Sequence, residues 1–400
     1  MSANSAPEVK RDRRVNAAAP IVAYGDRSVL RVPWHIQALG AKRVLLVCGR
    51  RSFEASGASA MLPDLESIAK VHRWSDFAPN TDSADLRNGL GIMREFEPDV
   101  VIGVGGGSAL DMAKLLCGFR DIADDDVLDG IRSGFNTATR HERLVLVPTT
   151  SGSGAEATNF AVVYIGHEKY SIGGDGMRPD VIALDPTLAV SGSPYQRATS
   201  GIDAVCQAIE SLWAVGATDR SRHFARTALR VLMPAIERFV HDPDPESAQA
   251  MCIGSHFAGR AIDISRTTAA HALSYGITKN YGLSHGHAVA LTTPAFIAAH
   301  AALPTNRLQP GVTPGNHERA MRTIVAALGT STAAQASIRF RILTRALGLM
   351  RRPDSDMPPE LIADQLITTV NAERLANNPM QFTAVELRNL VIDSLAEQTP

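Results

Sequence analysis

Four short apolar runs punctuate the first half of the chain. Residues 42–48 (KRVLLVC), 99–105 (DVVIGVG), 143–148 (RLVLVP) and 180–185 (DVIALD) are rich in β-branched residues and too short for buried helices. Such runs predict strands covered on both faces. Helical stretches such as 109–119 separate several of them. Strands alternating with helices predict an α/β region around a parallel, Rossmann-like sheet. Residues 160–165 (FAVVYI) and 170–172 flank Gly166-His-Glu-Lys, which predicts a β-hairpin over 158–172 set into that region.

After Ser193-Pro194 the pattern changes. Phe224, Ala228, Leu232, Ala235, Ile236 and Phe239 recur at a helical period within 223–240. Residues 318–328, 334–347 and 384–395 repeat that period, while 310–314 and 352–359 are turn-rich loops. The expected division is a tail over 1–19, a dinucleotide-binding α/β domain over 20–195, and an all-helical metal- and substrate-binding domain over 196–400.

Composition narrows the class. The 400 residues are 45% hydrophobic and 20% charged, with a net charge of −1. That is a globular balance without the basic excess expected of a nucleic-acid binder. No apolar stretch approaches about 18 residues, so no membrane span is expected. The first 19 residues lack the apolar core of a secretory signal and read as a disordered tail. Cys48, Cys117, Cys206 and Cys252 lie far apart, which fits reduced thiols in a cytoplasmic protein.

Candidate chemistry begins at Gly105-Gly-Gly-Ser108, which ends a strand and opens a helix. Glycines admit close approach of a ligand, and the helix N-terminus turns N–H groups and a positive dipole end toward it. The expected guest is a pyrophosphate. Ser108 and Asp111 have capping-box spacing. A second loop, 148–158 (PTTSGSGAEAT), supplies small and hydroxyl residues for a wall around phosphate and nicotinamide. Gly49-Arg50-Arg51 follows the first strand, where an acidic residue would bind a ribose 2′-hydroxyl and arginine would accommodate a 2′-phosphate. This favours NADPH over NADH.

In the second half, Asp203 and Gln207 stand four residues apart on one helix face. His271, His285 and His287 lie within seventeen positions among small and apolar neighbours. A carboxylate and two imidazoles suit one divalent ion with room left for substrate.

Three motifs together resemble the iron-containing, group III alcohol dehydrogenases: GGGSALDMAK (105–114), PTTSGSGAE (148–156) and HGHAVA (285–290). The likeness runs from about residue 20 to 395. It implies an N-terminal dinucleotide domain, a helical metal domain, a homodimer, and Fe2+ or Zn2+. For the metal it implies Asp203, the position of Gln207, His271 and His285; the family's histidine is replaced by glutamine at 207, and a further frequent histidine by Tyr275. For the cofactor it implies Asn80, Gly106, Gly107, Ser108, Thr149, Thr150, Ser153 and Lys169. Gly49 stands where NAD-preferring members often carry aspartate.

Segments 156–165, 203–213 and 264–275 resemble, more narrowly, the phosphonoacetaldehyde reductase branch, where Gln207 is usual. That likeness implies reduction of phosphonoacetaldehyde to 2-hydroxyethylphosphonate in phosphonate biosynthesis. Ser265-Arg266-Thr267-Thr268 and Asn159 are the expected phosphonate anchors, arginine giving forked contacts to phosphoryl oxygens. The expected mechanism is polarisation of the carbonyl by the ion, hydride delivery from nicotinamide, and a proton from water, His287 or Tyr275. The alternatives are a phosphonopyruvate reductase giving phosphonolactate, a general short-chain alcohol dehydrogenase, a lyase like dehydroquinate synthase, and a nucleotide binder without catalysis.

Overall fold

The computed structural model describes residues 19–137, 139–349, 357–370 and 372–396. The tail over 1–19 therefore falls outside the described residues but for residue 19, and the loop over 352–359 is described only from Met357. Strands β1 (Ile21–Tyr24), β2 (Arg43–Cys48), β3 (Lys70–Trp74), β4 (Val100–Gly105), β5 (Arg143–Pro148) and β8 (Val181–Leu184) form one six-stranded sheet in the order β1-β8-β5-β4-β2-β3, every pair parallel. β6 (Phe160–Ile165) and β7 (Glu168–Gly173) make a separate antiparallel hairpin.

Short helices α1 (Val32–Ala38), α2 (Ser52–Ala55), α3 (Leu62–Ile68) and α6 (Val127–Arg132) and the longer α4 (Ser83–Phe96) and α5 (Gly107–Phe119) accompany the sheet. They close separate apolar cores on its two faces. One contains Val44, Leu46, Ile102 and Val145, the other Leu45, Val47, Val101 and Leu146. Because both faces are covered, β4 and β8 are buried along their whole length.

The chain passes from β3 back across β2 to β4, so the strand order reverses between β2 and β4. Ligands of open α/β sheets bind outside the carboxyl ends of the strands at such a reversal. Cys48 is in register with Val104, which brings Gly49 alongside Gly105.

The rest is helical: α7 (Pro194–Trp213), α8 (Asp219–His241), α9 (Pro245–Ser265), α10 (Ala269–Tyr281), α11 (His285–Ala302), α12 (Pro314–Ala327), α13 (Ala333–Ala346), α14 (Pro359–Thr368), α15 (Ala372–Ala376) and α16 (Ala384–Ala396). α7 is buried nearly all round and forms the axis of a single large core with α8, α9 and α11. The halves meet closely at Gly154 and Gly259. A Cβ added to Gly154 would stand 2.4 Å from Gly259 Cα, and Gly154 has φ +60°, so this crossing demands glycine. All four cysteines are buried and outside disulfides.

Candidate active site

α7 carries the centre of the site. A capping box between Ser193 and Gln196 fixes its N-terminus. Asp203, Gln207 and Glu210 then fall at i, i+4 and i+7, on one buried face. α10 brings His271 and Tyr275, and α11 opens with His285. One ligand atom from each of Asp203, His271 and His285 lies within 4.8 Å of the others. Asp203 Oδ1 is 3.3 Å from His271 Nε2 and 3.9 Å from His285 Nε2. Gly286 permits this approach. A Cβ there would stand 1.9 Å from the Thr199 carbonyl oxygen and 2.8 Å from Asp203 Cβ, so any side chain would push α11 off α7.

The Gln207 amide donates to Asp203 Oδ2 at 3.1 Å and to the Ser153 carbonyl at 3.3 Å. Its buried carbonyl oxygen has no hydrogen-bond partner among the described residues. A buried acceptor left over beside a carboxylate and two imidazoles matches what a divalent cation takes. The donor set therefore fits a metal ion.

Glu210 sets the orientation of His271. Its Oε2 pairs with His271 Nδ1, so Nε2 is the nitrogen turned to Asp203. Its Oε1 accepts from the Thr268 hydroxyl at 2.6 Å and from the N–H groups of Thr268, Ala270 and His271 at the start of α10. Burial disfavours a charged His271, yet Glu210 and Asp203 push it up to about 10. Burial would raise Asp203, but the bond from His271 and the charges of His285, His271 and Lys169 hold it below the usual carboxylate range. Burial and the Lys169 charge push His285 down to about 3. Tyr275 stacks on His285 at 6.0 Å between ring centroids, and Lys169 Nζ lies 3.6 Å over its ring. Burial opposes its phenolate, but Lys169, Arg374 and His271 outweigh burial and lower it.

These groups open onto a cavity of ≈640 Å³, whose other walls include Asn80, Gly107, Ser108, Thr150, Ser153 and Lys169. Gly106 is the N-cap of α5, and a Cβ on it would meet Thr150 at 3.4 Å. The Thr149 N–H donates to the Gly105 carbonyl and ties the second loop to the glycine turn. Gly49 and Arg50 lie outside this cavity. Arg50 pairs with Asp76 at 2.5 Å, both largely exposed.

Several expectations need correction. The capping box at Ser108 and Asp111 is not formed. Ser108 Oγ instead accepts from the Asn80 N–H at 3.0 Å, and Asp111 accepts from the Val162 N–H at 3.1 Å. Asp111 does line the cavity, but that bond ties it to the hairpin. Of the expected phosphonate anchors only Thr267 lines the cavity. Thr268 is fully buried, its hydroxyl given to Glu210 while accepting from Trp213 Nε1 at 3.0 Å. Arg266 lies 4.3 Å over the Phe160 ring and donates to the Asp263 carbonyl and Asn159 Oδ1. Asn159 is held by Asp263 and Arg266. His287 is buried with Nδ1 3.2 Å from the Tyr195 hydroxyl, and does not line the cavity.

Two residues escaped the sequence reading. Glu210 carried a signal, its position seven after Asp203 on the same face. Arg374 on α15 lines the cavity and is buried, and no motif marked it.

Residues 19–186 match the family "Iron-containing alcohol dehydrogenase", and 197–395 match "Fe-containing alcohol dehydrogenase family, C-terminal". The chain belongs to the iron-containing alcohol dehydrogenase family. It is thereby an NAD(P)-dependent oxidoreductase. It is 30% identical over 308 residues to phosphonoacetaldehyde reductase of Streptomyces viridochromogenes, spanning 75% of this chain and 77% of that protein. It is also 30% identical over 263 residues to long-chain-alcohol dehydrogenase 1 of Geobacillus thermodenitrificans, spanning 65% and 66%. Sulfoacetaldehyde reductase of Bifidobacterium kashiwanohense, solved with NAD+, superposes with TM-score 0.80 at 24% identity over 94% of this chain and 97% of that one. This last likeness shows the alcohol dehydrogenase fold. Among the described residues no helix is long and apolar enough to cross a membrane.

Proposed function

We propose that this alcohol dehydrogenase reduces the aldehyde of a small phosphonate, phosphonoacetaldehyde, to 2-hydroxyethylphosphonate, with NADPH as reductant. The observation that carries the reaction type is the Asp203, His271 and His285 cluster opening onto one cavity with Gly107, Ser108, Thr150 and Ser153. The Streptomyces viridochromogenes relative supports the substrate. Arg50 and Arg51 beside Gly49 support the 2′-phosphate.

Asp203, His271 and His285 would hold one divalent ion, Fe2+ or Zn2+, with the spare oxygen of Gln207 in support. A bound ion supplies Lewis acidity toward the substrate carbonyl, and reduced nicotinamide supplies hydride. Gly106–Ser108 at the start of α5, with Thr150 and Ser153, would cradle the pyrophosphate. Gln207 links the two sides through Ser153, which holds cofactor loop and metal helix at a fixed spacing. The Tyr275 phenol, lowered by Lys169, is suited to give the proton that the product alkoxide needs.

Purified enzyme should contain about one divalent ion per chain. It should oxidise NADPH faster with phosphonoacetaldehyde than with acetaldehyde or phosphonopyruvate. Turnover confined to unphosphonated aldehydes would refute the substrate.

A further inference from the structure

We propose that Thr268 and Trp213 are positioning residues for the metal centre. They form a one-way hydrogen-bond relay, Trp213 to Thr268 to Glu210, that fixes which nitrogen of His271 faces the ion and holds the three ligand-bearing helices in register. The inference rests on the proposed reading of Asp203, His271 and His285 as metal ligands and names the groups that aim one of them.

Thr268 stands at the N-cap of α10, where a threonine ordinarily turns its own hydroxyl to the N–H groups of the first turn. Here it makes no such bond. Its hydroxyl donates instead to Glu210 Oε1 at 2.6 Å. Glu210, reaching across from α7, accepts from the N–H groups of Ala270 and His271 in its place. The local cap is therefore given up, and a carboxylate from another helix does its work while also holding the His271 ring.

Trp213 decides the direction of the chain. An indole N–H only donates, whereas a hydroxyl has one proton to give and lone pairs to accept with. Trp213 Nε1 donates to Thr268 Oγ1 at 3.0 Å. With a donor on that side, the single Thr268 proton has to point at Glu210. An ionised Glu210 accepts on both oxygens and takes Nδ1–H of His271, which leaves the lone pair of Nε2 on the side of Asp203. All four residues are buried, a setting in which hydrogen bonds of a chain strengthen one another.

The same indole touches the third helix. Trp213 ends α7, which carries Asp203, and its N–H reaches the start of α10, which carries His271. Its ring packs edge-on against His300, 4.3 Å between centroids, on α11, the helix that His285 opens. One side chain thus contacts all three helices that supply the ion.

The test uses the full-length Zn2+-loaded enzyme as wild type, Thr268→Val, Thr268→Ser and Trp213→Phe. Valine keeps the shape without the hydroxyl, and serine keeps the hydroxyl without the methyl group. Zn2+ affinity is read by chelator competition, and kcat and the KM for NADPH with the aldehyde that wild type reduces fastest. Thr268→Val should bind Zn2+ on the order of tenfold more weakly and lose kcat, with the KM for NADPH unchanged. Thr268→Ser should recover most of both, and Trp213→Phe should fall between wild type and Thr268→Val. A packing role predicts the reverse order, with valine tolerated and serine not. That order overturns the proposal, as does wild-type Zn2+ affinity in Thr268→Val. If wild type itself holds no Zn2+, the metal reading fails and the relay with it. If wild type holds Zn2+ and the variants match it, the relay alone fails. Should Thr268→Val not fold, Trp213→Phe decides, and an affinity equal to that of wild type overturns the relay.

Discussion

Glu210 grips both His271 Nδ1 and the N–H groups that begin α10, so one carboxylate fixes the ring and the helix carrying it. Groups that orient a metal-ligating histidine are worth roughly 10–100-fold in metal affinity or activity. Glu210→Gln keeps an oxygen for the helix N–H groups but offers an amide to Nδ1. The expected result is metal affinity lower by about 10–100-fold with the fold retained. Metal content after dialysis against graded chelator, beside a circular dichroism spectrum, checks it.

Gln207 divides its amide between the two halves of the site. The oxygen is left over beside the cation site, while the nitrogen holds Ser153 and Asp203. Imidazole is a better ligand for zinc and iron than a neutral carbonyl. Gln207→His should therefore slow loss of metal to chelator, by about tenfold. It should also raise the KM for NADPH, because the link to the Ser153 loop goes. Unchanged chelator kinetics would show that residue 207 makes no contact with the ion.

The fold was legible where burial was symmetrical. β2, β4, β5 and β8 read as continuous apolar runs because helices cover both faces. β1 and β3 passed unseen. They sit at the sheet edges, and β3 (KVHRW) has only Trp74 buried, so its sequence lacks the apolar run. Local reasoning failed at Ser108 and Asp111, whose hydrogen bonds go to Asn80 and Val162 rather than to each other's turn. Asp203 and Gln207 were legible as a helical pair. Glu210 lay within the same arithmetic, but a buried carboxylate declares its role only when its partners on α10 are in view. Arg374 was beyond reach. It stands on a five-residue helix, and its place in the cavity depends on Asn377 bonding to segments far away in sequence.

Coenzyme choice is open to direct test at the end of β2. A Cβ on Gly49 would stand 2.1 Å from Ser52 Oγ, a hydroxyl that can rotate away. Gly49→Asp with Arg50→Ala and Arg51→Ala should reverse the preference from NADPH to NADH. An acidic residue there accepts from the ribose 2′-hydroxyl and repels a 2′-phosphate. Parallel KM measurements for both coenzymes check it, and an unaltered ratio would place the 2′-position elsewhere.

Lys114 on α5 reaches the hairpin, donating to Thr158 Oγ1 at 2.8 Å and to the Phe160 carbonyl at 2.9 Å. It is fully buried, and burial, only partly offset by Asp111, Glu156 and Asp263, pushes its pKa down from 10.5 to about 8. Lys114→Met removes both of these hydrogen bonds from a buried setting, at a cost of about 1–3 kcal/mol. The pH dependence has a definite sign. Between about 8 and 10.5 the unfolded lysine holds a proton that the folded one has released. The unfolded state then binds more protons, so this group adds stability as pH rises through that window. In the variant, Asp111 has lost its cation and is harder to ionise, which costs more as pH rises. Both effects act in one direction. The urea midpoint of wild type should exceed that of Lys114→Met by a margin that widens from pH 7 to pH 10, and a constant margin would mean that Lys114 is not held below its ordinary value.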